Sequence, residues 1–101
     1  MTGALKKETQ TVLVSAPVEY VFYLHGGGTL ANLIDLANAL HNISDDAYSY
    51  HVNDSKNDFS NWVRDIFKDE KLANDLNKAA NKNQAARIVS DKVAALKKKS
   101  R

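Results

Sequence analysis

The feature that most constrains the fold is a run of large apolar side chains at helical spacing in the second half of the chain. They occupy positions i, i+3, i+4, i+7 and i+8, which places them on one face of a helix. They are Phe59, Trp62, Val63, Ile66 and Phe67. Asn57 or Asp58 precedes them and can cap the helix. The regular spacing favours a core-packing role over an exposed aromatic face.

Two earlier segments carry similar signals. From Leu30 to Leu40 the apolar positions again have helical spacing, with Thr29 as the expected N-cap. Ser44, followed by two aspartates, predicts the start of a short helix, because acidic side chains are stabilising in the first turn.

Two later segments complete the helical pattern. Asp69 or a neighbour is expected to begin a helix that carries Leu72 and Leu76 on its apolar face. A break is expected over 81–83, and residues 85–96 then form the final helix.

Strand-forming residues are concentrated between Thr9 and Leu24. They form the runs TVLVS and VEYVFYL around Ala16-Pro17, where proline interrupts pairing. Two strands, or one strand with a short lead-in, both fit. Apart from Glu19, the second run is apolar on both faces, so we expect it to be largely covered. The triple glycine, Gly26–Gly28, ends the strand as either a simple strand-to-helix turn or an anion-binding loop.

The chain has the size of one domain, 101 residues. We predict a helix-dominated α+β fold in which a short N-terminal β element packs on four to five helices. Residues 1–8 are expected to be a flexible arm, 9–96 a single globular domain and 97–101 a basic tail. The absence of cysteine excludes disulfides and cysteine-ligated zinc. With no long apolar stretch, we expect a cytoplasmic protein without a membrane span.

No complete catalytic or metal-binding motif is present. His25-Gly26-Gly27-Gly28 is similar to the oxyanion loop of lipases, but the chain lacks the G-x-S-x-G element that such chemistry requires. The histidines have no paired ligand spacing, and no calcium-loop order occurs. The only acid–base candidate is His51 with Asp54 or Asp58. We therefore expect no enzyme, no cofactor and no metal.

Positive charge is concentrated at the C-terminal end. Residues 1–66 carry four basic and eight acidic side chains, whereas residues 67–101 carry ten basic and four acidic ones. This asymmetry can mark a surface for nucleic acid or for an acidic partner, but the favoured interpretation is a solvated helix face with a basic end. The residues that would contact phosphates are Lys78, Lys82, Arg87, Lys92, Lys97, Lys98, Lys99 and Arg101.

A distinctive stretch, HVNDSKNDFSNWVRDIFKDEKLANDL, follows VFYLHGGGTLANLIDLANALHNISDDAYSYHV. Over about residues 18–80 the chain resembles a family of small archaeal and bacterial domains of unknown function. The resemblance implies no activity, but its signature positions suggest a partner or pocket site. That site would comprise Tyr50, His51, Asn57, Asp58 and Trp62.

Two function classes follow from these observations. The first is a non-enzymatic interaction module that binds a protein or associates with itself, with Tyr23 or Tyr50 at the rim of a groove. The alternative is sequence-nonspecific DNA binding through the basic C-terminal helix and tail.

Overall fold

Polar capping residues divide most of the chain into helices. The computed structural model describes residues 15–99, with the backbone only at Lys99. Within this range lie α1 (Leu33–Asn42), α2 (Asp45–His51), α3 (Asp58–Phe67), α4 (Glu70–Lys78) and α5 (Lys82–Lys99). The N-cap side chains Asn32, Ser44, Asn57 and Asp69 each accept a hydrogen bond from a backbone N–H of the first turn. The helix starts predicted at Ser44, Asn57 and Asp69 are confirmed.

The segment after the triple glycine differs from its prediction. Thr29 and Leu30 form a strand, β2 (Thr29–Leu30), that pairs antiparallel with β1 (Phe22–Tyr23). Gly26, Gly27 and Gly28 have φ values of 96°, 119° and 93°, which let the chain reverse on itself. Thr29 therefore does not cap a helix, and α1 begins three residues later than expected.

The expectation that residues 18–24 are largely covered is also wrong. Val18–Tyr20 is a 3-10 helix, because Pro17 directs the chain into a turn before β1 begins. The side chains of Val18, Tyr20 and Tyr23 are 77%, 57% and 72% exposed. The strand predicted in residues 9–14 and the arm over 1–8 lie outside the described residues.

The core lies between the helices and the inner side of the hairpin. Helix α5 packs along α1 and against α4, and α3 packs on α4. The break before α5 falls at residues 79–81 rather than 81–83. The largest fully buried side chains are Phe59, Leu33, Leu36, Leu40, Leu76, Val63, Val89 and Ser60. The prediction of a helix-dominated α+β fold is confirmed.

No helix within residues 15–99 combines the length and the apolar character needed to cross a bilayer.

Candidate functional site

His51 lies where the hairpin, α2 and α3 meet. Its side chain is buried, and its Nδ1 lies 3.1 Å from an Asp58 carboxylate oxygen. Its Nε2 accepts a hydrogen bond from the backbone N–H of His25 at 3.0 Å. Since a backbone N–H can only donate, Nε2 carries no proton and Nδ1–H donates to Asp58. The ring also packs against Phe22 and Phe59, with centroid distances of 4.8 and 5.1 Å.

Asp58 is the charged partner in this cluster. Its carboxylate also accepts a hydrogen bond from Lys56 Nζ at 2.9 Å. Burial raises the pKa of Asp58, but the hydrogen bonds from Lys56 and His51 and the positive charge of Lys56 outweigh that effect and leave the pKa below its ordinary value. The carboxylate is therefore held in its ionised form.

His51 and Asp58 have the geometry of an acid–base pair, but neither ring nitrogen of His51 is accessible to a substrate. His51 does contact Asp58, whereas Asp54 lies in the exposed turn over 53–56. Both ring nitrogens of His51 are engaged within the protein, and the side chain is 5% exposed. A general base needs a free nitrogen within reach of substrate. This arrangement supports a positioning role for His51 in the fold.

Asn57 is a second buried polar residue from the predicted site. Its Oδ1 accepts the backbone N–H of Ser60 at 3.0 Å, and its Nδ2 donates to the carbonyl oxygen of Leu76 at 3.2 Å. The side chain thus caps α3 and ties it to the end of α4. Asn57 and His51 therefore hold elements of the fold together.

Trp62 is likewise enclosed. Its indole Nε1–H donates to the carbonyl oxygen of Tyr20 at 2.7 Å, which fastens the 3-10 helix to α3. Its ring makes edge contacts with Phe22 and Phe67 at centroid distances of 5.7 and 5.2 Å. Of the five predicted pocket residues, Tyr50 alone presents most of its side chain to solvent.

Four exposed aromatic side chains come from the 3-10 helix, the hairpin and α2: Tyr20, Tyr23, His25 and Tyr50. We treat them together as the aromatic face. The ring of Tyr50 stacks on that of His25 at a centroid distance of 4.0 Å, and Lys56 Nζ lies 5.4 Å from the Tyr50 centroid. Tyr23 lies two residues before His25, and both side chains are exposed. The sequence pattern did not single out Tyr20 as a rim residue.

The basic residues of the C-terminal part do not form one continuous face. Lys82 donates to the carbonyl oxygen of Ile43 at 2.7 Å, and Lys92 lies 3.2 Å from the Asp69 carboxylate. Lys78, Arg87, Lys97 and Lys98 are exposed. At 100° per residue, Arg87 and Lys98 share a side of α5 with the carboxylate of Asp91. Arg101 and the side chain of Lys99 lie outside the described part of the chain.

The triple-glycine turn is a hairpin connection. Leu24 N–H donates to Gly28 O and Gly27 N–H to Leu24 O, each at 3.0 Å. The shallow cavity beside it is also lined by the carboxylate of Asp46, which opposes binding of an anion. Among the described residues, no group of three or more acidic, histidine or cysteine side chains is placed to hold a metal ion.

No family model, curated protein or solved structure matches this chain. The resemblance to a family of small domains of unknown function therefore stays a prediction.

Proposed function

We propose that this protein is a non-enzymatic interaction module that binds a protein partner through the aromatic face. The observation that carries the proposal is the exposure of Tyr20, Tyr23 and Tyr50, at 57%, 72% and 56%, on a domain whose other large aromatic rings are mostly buried. Tyrosine supplies large contact area with little loss of side-chain entropy, and it is enriched at protein interfaces.

The size of this surface fits a modest interface. At the exposed fractions given above, the three tyrosines leave roughly 370 Å² of surface in water in total, if a tyrosine side chain has about 200 Å² to bury. The largest apolar patch on a typical monomer is about 300–600 Å² and is often functional. A peptide or a small protein surface would cover this area.

The charges beside the aromatic face favour a largely uncharged contact. Lys56 lies over Tyr50, but its charge is balanced by Asp58 at 2.9 Å. A partner that places apolar side chains on the tyrosines would therefore not have to neutralise an excess of charge of one sign.

The same arrangement weighs against nucleic acid as the main partner. Proteins that bind single strands combine aromatic platforms with a positively charged groove. Here the exposed rings come from the 3-10 helix, the hairpin and α2, whereas α5 packs on α1 and α4. Two of its lysines are engaged with protein oxygens.

The test is a selection of peptides from a random display library on the full-length chain, followed by measurement of affinity by fluorescence polarisation. We expect the combined substitutions Tyr23→Ser and Tyr50→Ser to weaken the selected peptides by about tenfold or more, as for hot-spot tyrosines. Sedimentation of the free chain, with and without these substitutions, tests whether the partner is a second copy.

The matched control removes exposed side chains elsewhere. Arg87→Ala with Lys98→Ala should leave peptide affinity within about twofold, because rim or remote charges contribute little. Affinities that depend on Arg87 and Lys98 but not on the tyrosines would refute the proposal. So would a selection that yields no binder, combined with a monomeric chain.

A further inference from the structure

A second concavity lies on the other side of α2. It has a volume of about 680 Å³ and is bounded by α2, the turn over 53–56, the end of α4 and the start of α5. Its polar members include Asp45, Tyr48, Ser49, Asp54 and Asn77. We call it the polar trough. It uses none of the four residues of the aromatic face, so an inference about it does not depend on the proposed function.

Tyr48 is the unusual member of the trough. The residue is only 8% exposed, and its ring stacks on Phe59 at a centroid distance of 6.0 Å. Within residues 15–99 its hydroxyl has no hydrogen-bond partner, and the oxygen is not fully enclosed by protein. The hydroxyl therefore reaches solvent, and Tyr48 is one of the residues that line the trough. Burial raises the pKa of Tyr48, so its hydroxyl stays neutral near pH 7.

The remaining groups make the trough rich in hydrogen-bond acceptors. Asp45 and Asp54 are exposed and form no ion pair with any described residue. The one lysine of the lining, Lys82, is held on the carbonyl oxygen of Ile43. Two carboxylates against one ammonium leave the side chains of the trough with a net negative charge.

We infer that the polar trough binds an organic cation with several N–H donors, of the alkylammonium class. Asp45 and Asp54 supply the charge, while the Tyr48 hydroxyl and the Asn77 carboxamide oxygen accept N–H groups. A saccharide fits less well, because sugar rings stack on open aromatic faces and the only ring in the lining is covered by Phe59.

Two kinds of ligand carry such ammonium groups, a free polyamine and a lysine-bearing peptide segment. Two probes of equal charge distinguish them. Full-length ¹⁵N-labelled protein is titrated at low salt with spermidine and with acetyl-trilysine amide, while amide shifts are followed. A larger affinity for spermidine identifies a free polyamine, and a larger affinity for the peptide identifies a lysine-bearing segment. Either result supports the inference if the shifts are centred on Tyr48, Ser49 and Asn77.

Three variants test the assignment of residues. Asp54→Asn should weaken binding about threefold, the effect of one exposed ion pair. Tyr48→Phe should weaken it about threefold or more while stability is kept, because the hydroxyl has no partner to lose. Asp65→Asn, at an exposed aspartate of α3 outside the trough, is the matched control and should change affinity less than twofold.

The inference is overturned if neither probe binds more tightly than about 10 mM, weaker than the affinity expected of a specific site. It is also overturned if Asp65→Asn weakens binding as much as Asp54→Asn does. In that case the cation binds to the overall negative charge of residues 15–66 and not to the trough.

Discussion

Replacement of Asn57 by alanine should be among the more damaging polar substitutions in this domain. The change removes the N-cap of α3, which contributes about 0.5–2 kcal/mol. It also removes the hydrogen bond from Nδ2 to the carbonyl oxygen of Leu76, which contributes about 1 kcal/mol. That carbonyl keeps a second partner, the backbone N–H of Ala79 at 3.2 Å, so it is not left bare. We expect a loss of about 2–3 kcal/mol in the free energy of unfolding.

The assay is urea unfolding followed by the fluorescence of Trp62, the single tryptophan of the chain. Asn57→Ser separates the two contributions, because serine still caps the helix but cannot reach Leu76. We expect it to cost about 1 kcal/mol. Asn61→Ala, at an exposed asparagine one turn further along α3, serves as the control and should stay within about 0.5 kcal/mol of wild type.

The reasoning is refuted if Asn57→Ala costs no more than Asn57→Ser. That result would mean that the cap is worth nothing in this fold. Equal costs for Asn57→Ala and Asn61→Ala would show that neither the cap nor the link to α4 stabilises the domain.

Three further predictions concern charge, backbone and nucleic acid. Since the folded-state pKa of Asp58 is lowered, its ionised form stabilises the fold above about pH 4, and this contribution is lost as the pH falls through the folded-state pKa. The stability gap between wild type and Asp58→Asn, measured by urea unfolding, should therefore shrink below that pH, and a constant gap would contradict the assignment. Gly27→Ala should lower the free energy of unfolding by about 1–3 kcal/mol. The cost arises from the φ of 119° alone, because an added Cβ meets nothing within 4 Å. A neutral result in the same assay would contradict this. Fluorescence anisotropy with labelled duplex DNA should show no binding tighter than about 100 µM at physiological salt, and little change on truncation to residues 1–96. Micromolar, steeply salt-dependent binding that needs the tail would instead make DNA binding the first function and protein binding the alternative.

The helix pattern could be predicted because its signals are local. Ser44, Asn57 and Asp69 each bond to a backbone N–H three residues ahead, so the sequence alone carries both partners. The apolar spacing of residues 59–67 similarly defines a buried face without reference to the rest of the chain.

The candidate sites depended on contacts that no local pattern encodes. His51 bonds to a backbone N–H that is 26 residues away, and Trp62 to a carbonyl oxygen 42 residues away. These contacts turned a predicted pocket into an enclosed junction and left Tyr50 as its exposed member. Lys82 and Lys92 also found oxygen partners far along the chain, which removed them from the basic surface.

The sequence by itself determined where most of the helices begin, which faces they bury and that the fold is helix-dominated. The tertiary structure decided that Thr29 pairs with Tyr23 and does not cap a helix, because hairpin formation depends on the partner strand. It also decided which tyrosines face water. An amphipathic residue is stable on either side of a surface, so only the packing of its neighbours settles whether its ring becomes core or contact surface.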